Sequence, residues 1–201
     1  MVTRLLIRLG LLLALLPRPA SATMVDAPDI DSLISQSDYI VRAVVQTATP
    51  EWREHAGQRY ISTKVVLQIR EVIKGAPPSP LVLNLIGGRI GEDELVMEGL
   101  PRFHVGDEQI LFVHGEQRKM FPLVALMHGV YPLIREARSG EHYVLRSNGQ
   151  ALSRAEDVSQ PMIAPAAGQP VDSPARPLTA TRFIRQIRER AAAAQLSARE
   201  K

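Results

Sequence analysis

The stretch Tyr60–Gly75, YISTKVVLQIREVIKG, constrains the fold more than any other part of the chain. Ile61, Thr63, Val65, Leu67 and Ile69 alternate with Ser62, Lys64, Gln68 and Arg70, the period-2 pattern of a strand with one buried and one wet face. Val72 has the wrong parity for that face. A bulge near Arg70 and Glu71 is expected to return Val72 to the core and to bend the strand, as small barrels do at their corners. Lys74-Gly75 ends the strand, and Pro77, Pro78 and Pro80 prevent its continuation.

A core is within reach of this chain: 45% of its 201 residues are hydrophobic and 22% charged. Aromatics at 4% and 15 prolines favour short strands, many turns and one unstructured segment. With 0 cysteines, disulfides, thiolate zinc sites, iron–sulfur clusters and cysteine nucleophiles are excluded, so stability must come from burial. Residues 1–22 read as an export signal: Arg4 and Arg8, the apolar run Leu9–Leu16, then Ala20-Ser21-Ala22 as a small-x-small cleavage site. That run is shorter than the roughly 20 residues of a spanning helix. A periplasmic or extracellular location follows, with Thr23 as the mature N-terminus. Without Arg4, Arg8 and Arg18 the basic residues fall to 21, equal to the 21 acidic ones, and nucleic-acid binding by bulk charge loses its support.

Four segments are expected: the signal 1–22, a β-domain with a leading helix over 23–156, a proline-rich linker over 157–177, and a basic helix over 178–201. Ala27–Gln36 reads as a helix begun by Pro28 and Asp29, with Ile30, Leu33 and Ile34 on one face. Strands are expected over Tyr39–Thr47, Leu81–Ile86, Leu95–Glu98, Gln109–His114, Phe121–Met127, Val130–Ile134 and Glu141–Arg146. In the first of these, Tyr39, Val41, Ala43 and Val45 point inward, while Ile40 and Val44 call for cover on the second face. Gln109–His114 is apolar on both faces, and His128-Gly129 reads as a hairpin turn. Pro50–Gln58 reads as a polar connection carrying Trp52. From Leu178 to about Leu196, Thr179 is the expected N-cap, and Phe183, Ile184, Ile187, Ala191 and Ala194 form a narrow apolar stripe flanked by arginines. That stripe suits docking on the sheet, peripheral membrane contact, or a partner.

The order IVRAVV, a connection with Trp52, YISTKVVLQIREVIKG and LVLNLIGG resembles the first half of a netrin-like domain, the oligonucleotide/oligosaccharide-binding-type barrel shared with tissue inhibitors of metalloproteinases. Continued through GLPRF, VGDEQILFV and FIRQIR, the pattern is similar to short exported bacterial proteins of unassigned function. The resemblance implies a mainly β fold, a small netrin-like β-barrel with a short N-terminal helix and a C-terminal amphipathic helix. It implies no activity: the inhibitors chelate zinc through an N-terminal cysteine, whereas this chain has no cysteine.

Among polar residues, Trp52, Arg53, His55, Arg59 and Tyr60 form the best surface candidate, because aromatics interleaved with cations suit stacking on sugars, bases or a protein. The alternative is that Trp52 folds back as core over the strand ends. Gly87-Gly88-Arg89-Ile90-Gly91 offers amides and the Arg89 charge to an anion, or a simple hairpin turn. It lacks the lysine and hydroxyl of a phosphate-binding loop. His55, His104, His114, His128 and His142 show no compact metal spacing; in a barrel His104 and His114 would flank one end with Asp93 or Glu94, against the alternative of ordinary loop and strand-end histidines. Asp29-x-Asp31 reads as helix-start chemistry. No nucleophile elbow is present. No cofactor, metal or catalytic residue is assigned. The expected function is an exported non-catalytic interaction module for an unknown protein partner; a metal-dependent or hydrolytic envelope enzyme and a glycan-binding barrel are the alternatives.

Overall fold

The computed structural model describes residues 27–97, 99–115, 121–162 and 177–199. The expected export signal and most of the expected linker lie outside them. Helix α1 (Ile30–Gln36) opens the fold, capped by the Asp29 carboxylate, which accepts from the Ser32 amide at 2.6 Å. The strands are β1 (Tyr39–His55), β2 (Gln58–Lys74), β3 (Leu81–Ile86), β4 (Gly88–Ile90), β5 (Asp93–Leu95), β6 (Glu108–Val113), β7 (Val130–Arg135) and β8 (His142–Val144). Helix α2 (Ala180–Arg199) closes the fold. Six strands form one antiparallel sheet in the order β3-β2-β1-β6-β7-β8, and β4 pairs with β5.

The sheet carries an apolar layer on each face. Ile40, Ile110, Phe112, Tyr131 and Val144 pack against α1, α2 and the 3-10 turn Ala155–Ser159; Val41, Ala43, Val45, Val65, Leu67, Leu111 and Val113 form the core of the far face, closed by Phe103 and Leu123. This explains why β6 has no polar side: it lies between β1 and β7, and its alternate residues feed both layers. The cover that Ile40 calls for is the helix layer. Ser37 and Lys74 stitch this end together. The Lys74 ammonium donates to the carbonyl oxygens of Ile34 and Ser37 at 2.6 and 2.7 Å, satisfying the C-terminal end of α1. Next to it, Gly75 has φ +78, and a Cβ there would lie 2.1 Å from the Asp38 carbonyl oxygen.

The stripe of α2 docks on the sheet. Phe183 and Ile187 are fully buried, Ile184 and Ala191 nearly so, and Thr179 Oγ1 accepts from the Arg182 amide at 3.3 Å. The flanking arginines are tied down as well: Arg188 to Glu71 at 2.8 Å, and Arg190 to Asp31 and Glu156 at 3.1 and 2.6 Å. Arg190 thereby links α2, α1 and the 3-10 turn, whose Val158 is fully buried although it falls within the expected linker.

Several expectations need correction. The sheet is open, not a barrel: β3 and β8 are its outer strands, and no pairing joins them among the described residues. The outer edge of β8 instead meets Thr179 in a bridge from Tyr143, so the approach to α2 occupies the place a closing strand would need. Pro50–Gln58 is no connection: β1 runs through Trp52 to His55 and turns at Ala56-Gly57, both at positive φ, as a two-residue hairpin requires. Pro50 is tolerated because β6 pairs with β1 only as far as Val44, leaving the distal half of β1 paired on one side. Phe121–Met127 contains a single bridge, Leu123 to Val113, and Leu126–Gly129 is a 3-10 turn where a hairpin is expected. The bulge at Arg70 is present, since the adjacent Arg42 and Ala43 pair with Glu71 and Ile69. It does place Val72 opposite Val41, but Val72 stays 43% exposed, and a second irregularity buries Ile73 instead.

Candidate functional site

β1 and β2 form a hairpin of two 17-residue strands whose distal arm projects beyond β6. Along this arm the sequence-predicted cluster separates by strand alternation. Trp52 pairs with Ile61 and Glu54 with Arg59, on the far face; Arg53 pairs with Tyr60 and His55 with Gln58, on the opposite face. Trp52 is 41% exposed, and the Arg59 guanidinium stands 4.6 Å over its ring, a cation–π pair across the diagonal of the hairpin. Arg53 is directed elsewhere: it bonds Glu51 at 2.6 and 2.8 Å and the Asn84 side chain at 2.9 Å. The five residues thus form two half-sites back to back.

The far-face half continues into a cleft of about 500 Å³. Its floor is Ala48, Pro50, Thr63 and Val65 of the hairpin; β4 and β5 form one wall, and Leu100 to His104 the other. Two glycines permit this roof. After β3 the Gly87 amide still donates to the Ile61 carbonyl at 2.8 Å, and the chain then crosses the hairpin so closely that a Cβ on Gly88 would lie 2.6 Å from Thr63 Oγ1 and 3.2 Å from Pro50 Cβ. The Gly87–Gly91 stretch is therefore strand and turn, and Arg89 is paired across β4–β5 with Glu94 at 2.5 Å. The opposite wall is anchored to β1 by reciprocal bonds, Gly106 amide to Val45 carbonyl and Val45 amide to Asp107 carbonyl, both 2.9 Å. Trp52 lies one same-face step beyond Pro50, about 7 Å along the strand, outside the residues that line the cleft. Val96 and Met97 on the rim are 62% and 37% exposed.

The histidines do not converge. His55 is at the hairpin tip, His104 pairs with Asp107 at 3.2 Å, His142 lies 3.3 Å from Glu108, and His128 is buried. Among the described residues no group of three or more His, Cys, Asp or Glu could hold a metal ion. Asp29 and Asp31 act separately, as helix cap and as partner of Arg190.

A second polar group, missed in the sequence, sits in the core. Arg146 is 1% exposed, donating to Gln150 Oε1 at 3.1 Å and to the Gln160 carbonyl, and Tyr131 and His128 are buried nearby in charge contact with it. Burial pushes the Arg146 pKa down, against the opposing pull of Tyr131 and Asp157. The guanidinium serves as a fastener for the chain at 160 through its bond to the Gln160 carbonyl. A strand-end arginine before Asn148-Gly149 looks in sequence like any exposed turn residue. No protein-family model, no curated protein and no solved structure matches the chain, so its own geometry is what there is to reason from.

Proposed function

We propose that the protein is an exported, non-catalytic binding module that holds an apolar segment of a protein partner in the far-face cleft, with the Trp52–Arg59 pair as its outer platform. The carrying observation is the cleft itself: an apolar floor between two anchored walls, with exposed Val96 and Met97 on its rim, and the Trp52–Arg59 stack farther out on the same face of the hairpin. Exposed aliphatic and aromatic side chains gathered around one concavity are what a partner would cover. The charged groups in the walls support binding over proton transfer, because Arg89 with Glu94 and His104 with Asp107 are paired at the surface. The arginines of 178–201 give less support to membrane contact, since the apolar stripe is spent on the sheet.

The reading is tested with Trp52→Ala and with a Val96→Asp/Met97→Lys rim variant, all at exposed positions. Capture of a specific partner from periplasmic or culture fractions should be lost in the rim variant and weakened in Trp52→Ala, with thermal stability unchanged. Capture that survives both, or a stability loss that accounts for the whole effect, would refute it.

A further inference from the structure

Charge in the cleft is unevenly satisfied. Arg89 has Glu94, and His104 has Asp107, but Arg102, in the same lining, makes no hydrogen bond or ion pair among the described residues. With Glu94 engaged, the cleft presents, among the described residues, one guanidinium without a counter-charge above an apolar floor. We infer that the cleft takes the C-terminus of a partner polypeptide, its last apolar side chains on Ala48, Pro50 and Val65 and its terminal carboxylate on Arg102. This rests on the binding reading given above.

Two features select this occupant. A guanidinium presents paired N–H donors matched to a carboxylate, so one arginine without a partner among the described residues, above an apolar floor, fits a ligand with a single anionic end and an apolar body. A free fatty acid shares that chemistry, but a lone acyl chain would leave the exposed Val96 and Met97 on the rim wet. A polypeptide brings enough bulk to cover them. The walls fit a fixed register, because both are tied to the same hairpin, β4 through the Gly87–Ile61 bond and the 100–107 segment through Val45.

The probe is a pool of synthetic decapeptides whose last three positions are randomised among Val, Leu, Ile, Phe and Met, prepared with free-acid and with amidated ends. Retention by the immobilised full chain is read by mass spectrometry. The free-acid pool should be retained about five- to ten-fold better than the amidated pool, the size of one charge-assisted contact near the surface. Arg102→Met, at an exposed position, should remove that preference while leaving residual apolar retention. Equal retention of both pools, or an unchanged preference in Arg102→Met, overturns the carboxylate assignment but leaves the binding reading standing. Retention of neither pool, with loss of native partner capture in the rim variant, overturns the peptide-terminus assignment alone. Retention of neither with no rim effect overturns both. Displacement of the peptides by decanoate at lower concentration than by competing peptide would assign the cleft to a free acid and overturn the polypeptide.

Discussion

Replacing Phe183 by Ala tests whether α2 belongs to the cooperative core. Phe183 is 0% exposed and meets Tyr131 edge to face, with centroids 5.3 Å apart and planes at 62°. Tyr131 in turn meets Phe112 of β6 at 5.6 Å, so the three rings run from α2 through β7 into the centre of the sheet. Truncating a fully buried phenylalanine costs about 3–5 kcal/mol, of which about 0.5–1.5 belongs to the lost ring contact. Against a total stability of about 5–15 kcal/mol this is a large fraction. In urea, with a slope of about 1–3 kcal/mol/M, the midpoint should fall by roughly 1–5 M at unchanged slope. Leu196→Ala, at a position 63% exposed on the same helix, is the control and should stay within about 0.5 kcal/mol. Trp52 fluorescence and far-ultraviolet circular dichroism should report one coincident transition. A Phe183→Ala midpoint within 0.3 M of the parent, or a separate early transition of the helix alone, would show that α2 is not integral to the core.

Gly75→Ala should cost at least about 2 kcal/mol, because the left-handed backbone and the Asp38 carbonyl 2.1 Å from the new Cβ cannot both be accommodated; an unchanged melting temperature would contradict that contact. Lys74→Met keeps the aliphatic stem but removes two donors to the end of α1, and a loss of roughly 1–2 kcal/mol is expected, read by chemical denaturation. His128 gives the pH dependence. Burial, with the Arg146 charge second, pushes its pKa below the usual 6.5, against a bond to the Val158 backbone. The unfolded chain therefore binds the proton first, so stability is intact above pH 6.5 and declines as the pH falls below it. His128→Gln should flatten the melting-temperature profile between pH 7.5 and 5; a parent profile of the same slope as the variant would remove His128 as the cause.

Local periodicity is legible in this chain wherever one element sees one environment. The two-sided apolar character of Ile110 to Val113 and the Phe183–Ile187–Ala191 stripe each encode a burial pattern within a few residues and are found buried; of the alternation from Ile61 to Ile69, Ile61, Val65 and Leu67 are buried, Thr63 and Ile69 are half-buried, and Ser62 of the other face is buried too. The extension of β1 past Pro50 was illegible for a specific reason. A proline argues against a strand only when both edges are paired, and which edges are paired depends on β6, more than fifty residues away. Phe121–Met127 fails in the opposite sense: its apolar residues are right for burial, and Leu123 and Val124 are buried, but β7 takes the edge of β6 from Gln109 to Leu111, so the segment pairs only at the end of β6, around Val113, before the chain enters the 3-10 turn.

The candidate site divides along the same line. Residue type alone singled out Trp52 and Arg59, but with Pro50–Gln58 read as a connection nothing in the sequence placed them on one face; the pairing of Trp52 with Ile61 and of Glu54 with Arg59 did. Three things needed the tertiary structure: separation of Arg53 and Tyr60 from them by the true extent of β1, the cleft roofed by a glycine crossing, and Arg102 unpaired among paired neighbours. By itself the sequence determined a half-buried strand, a central apolar strand and a helix with one apolar side, because those follow from side-chain spacing along a single element. Whether the sheet closed, what each charge faced and where a concavity formed were decided only when distant segments met, since packing and ion pairing are properties of neighbours in space.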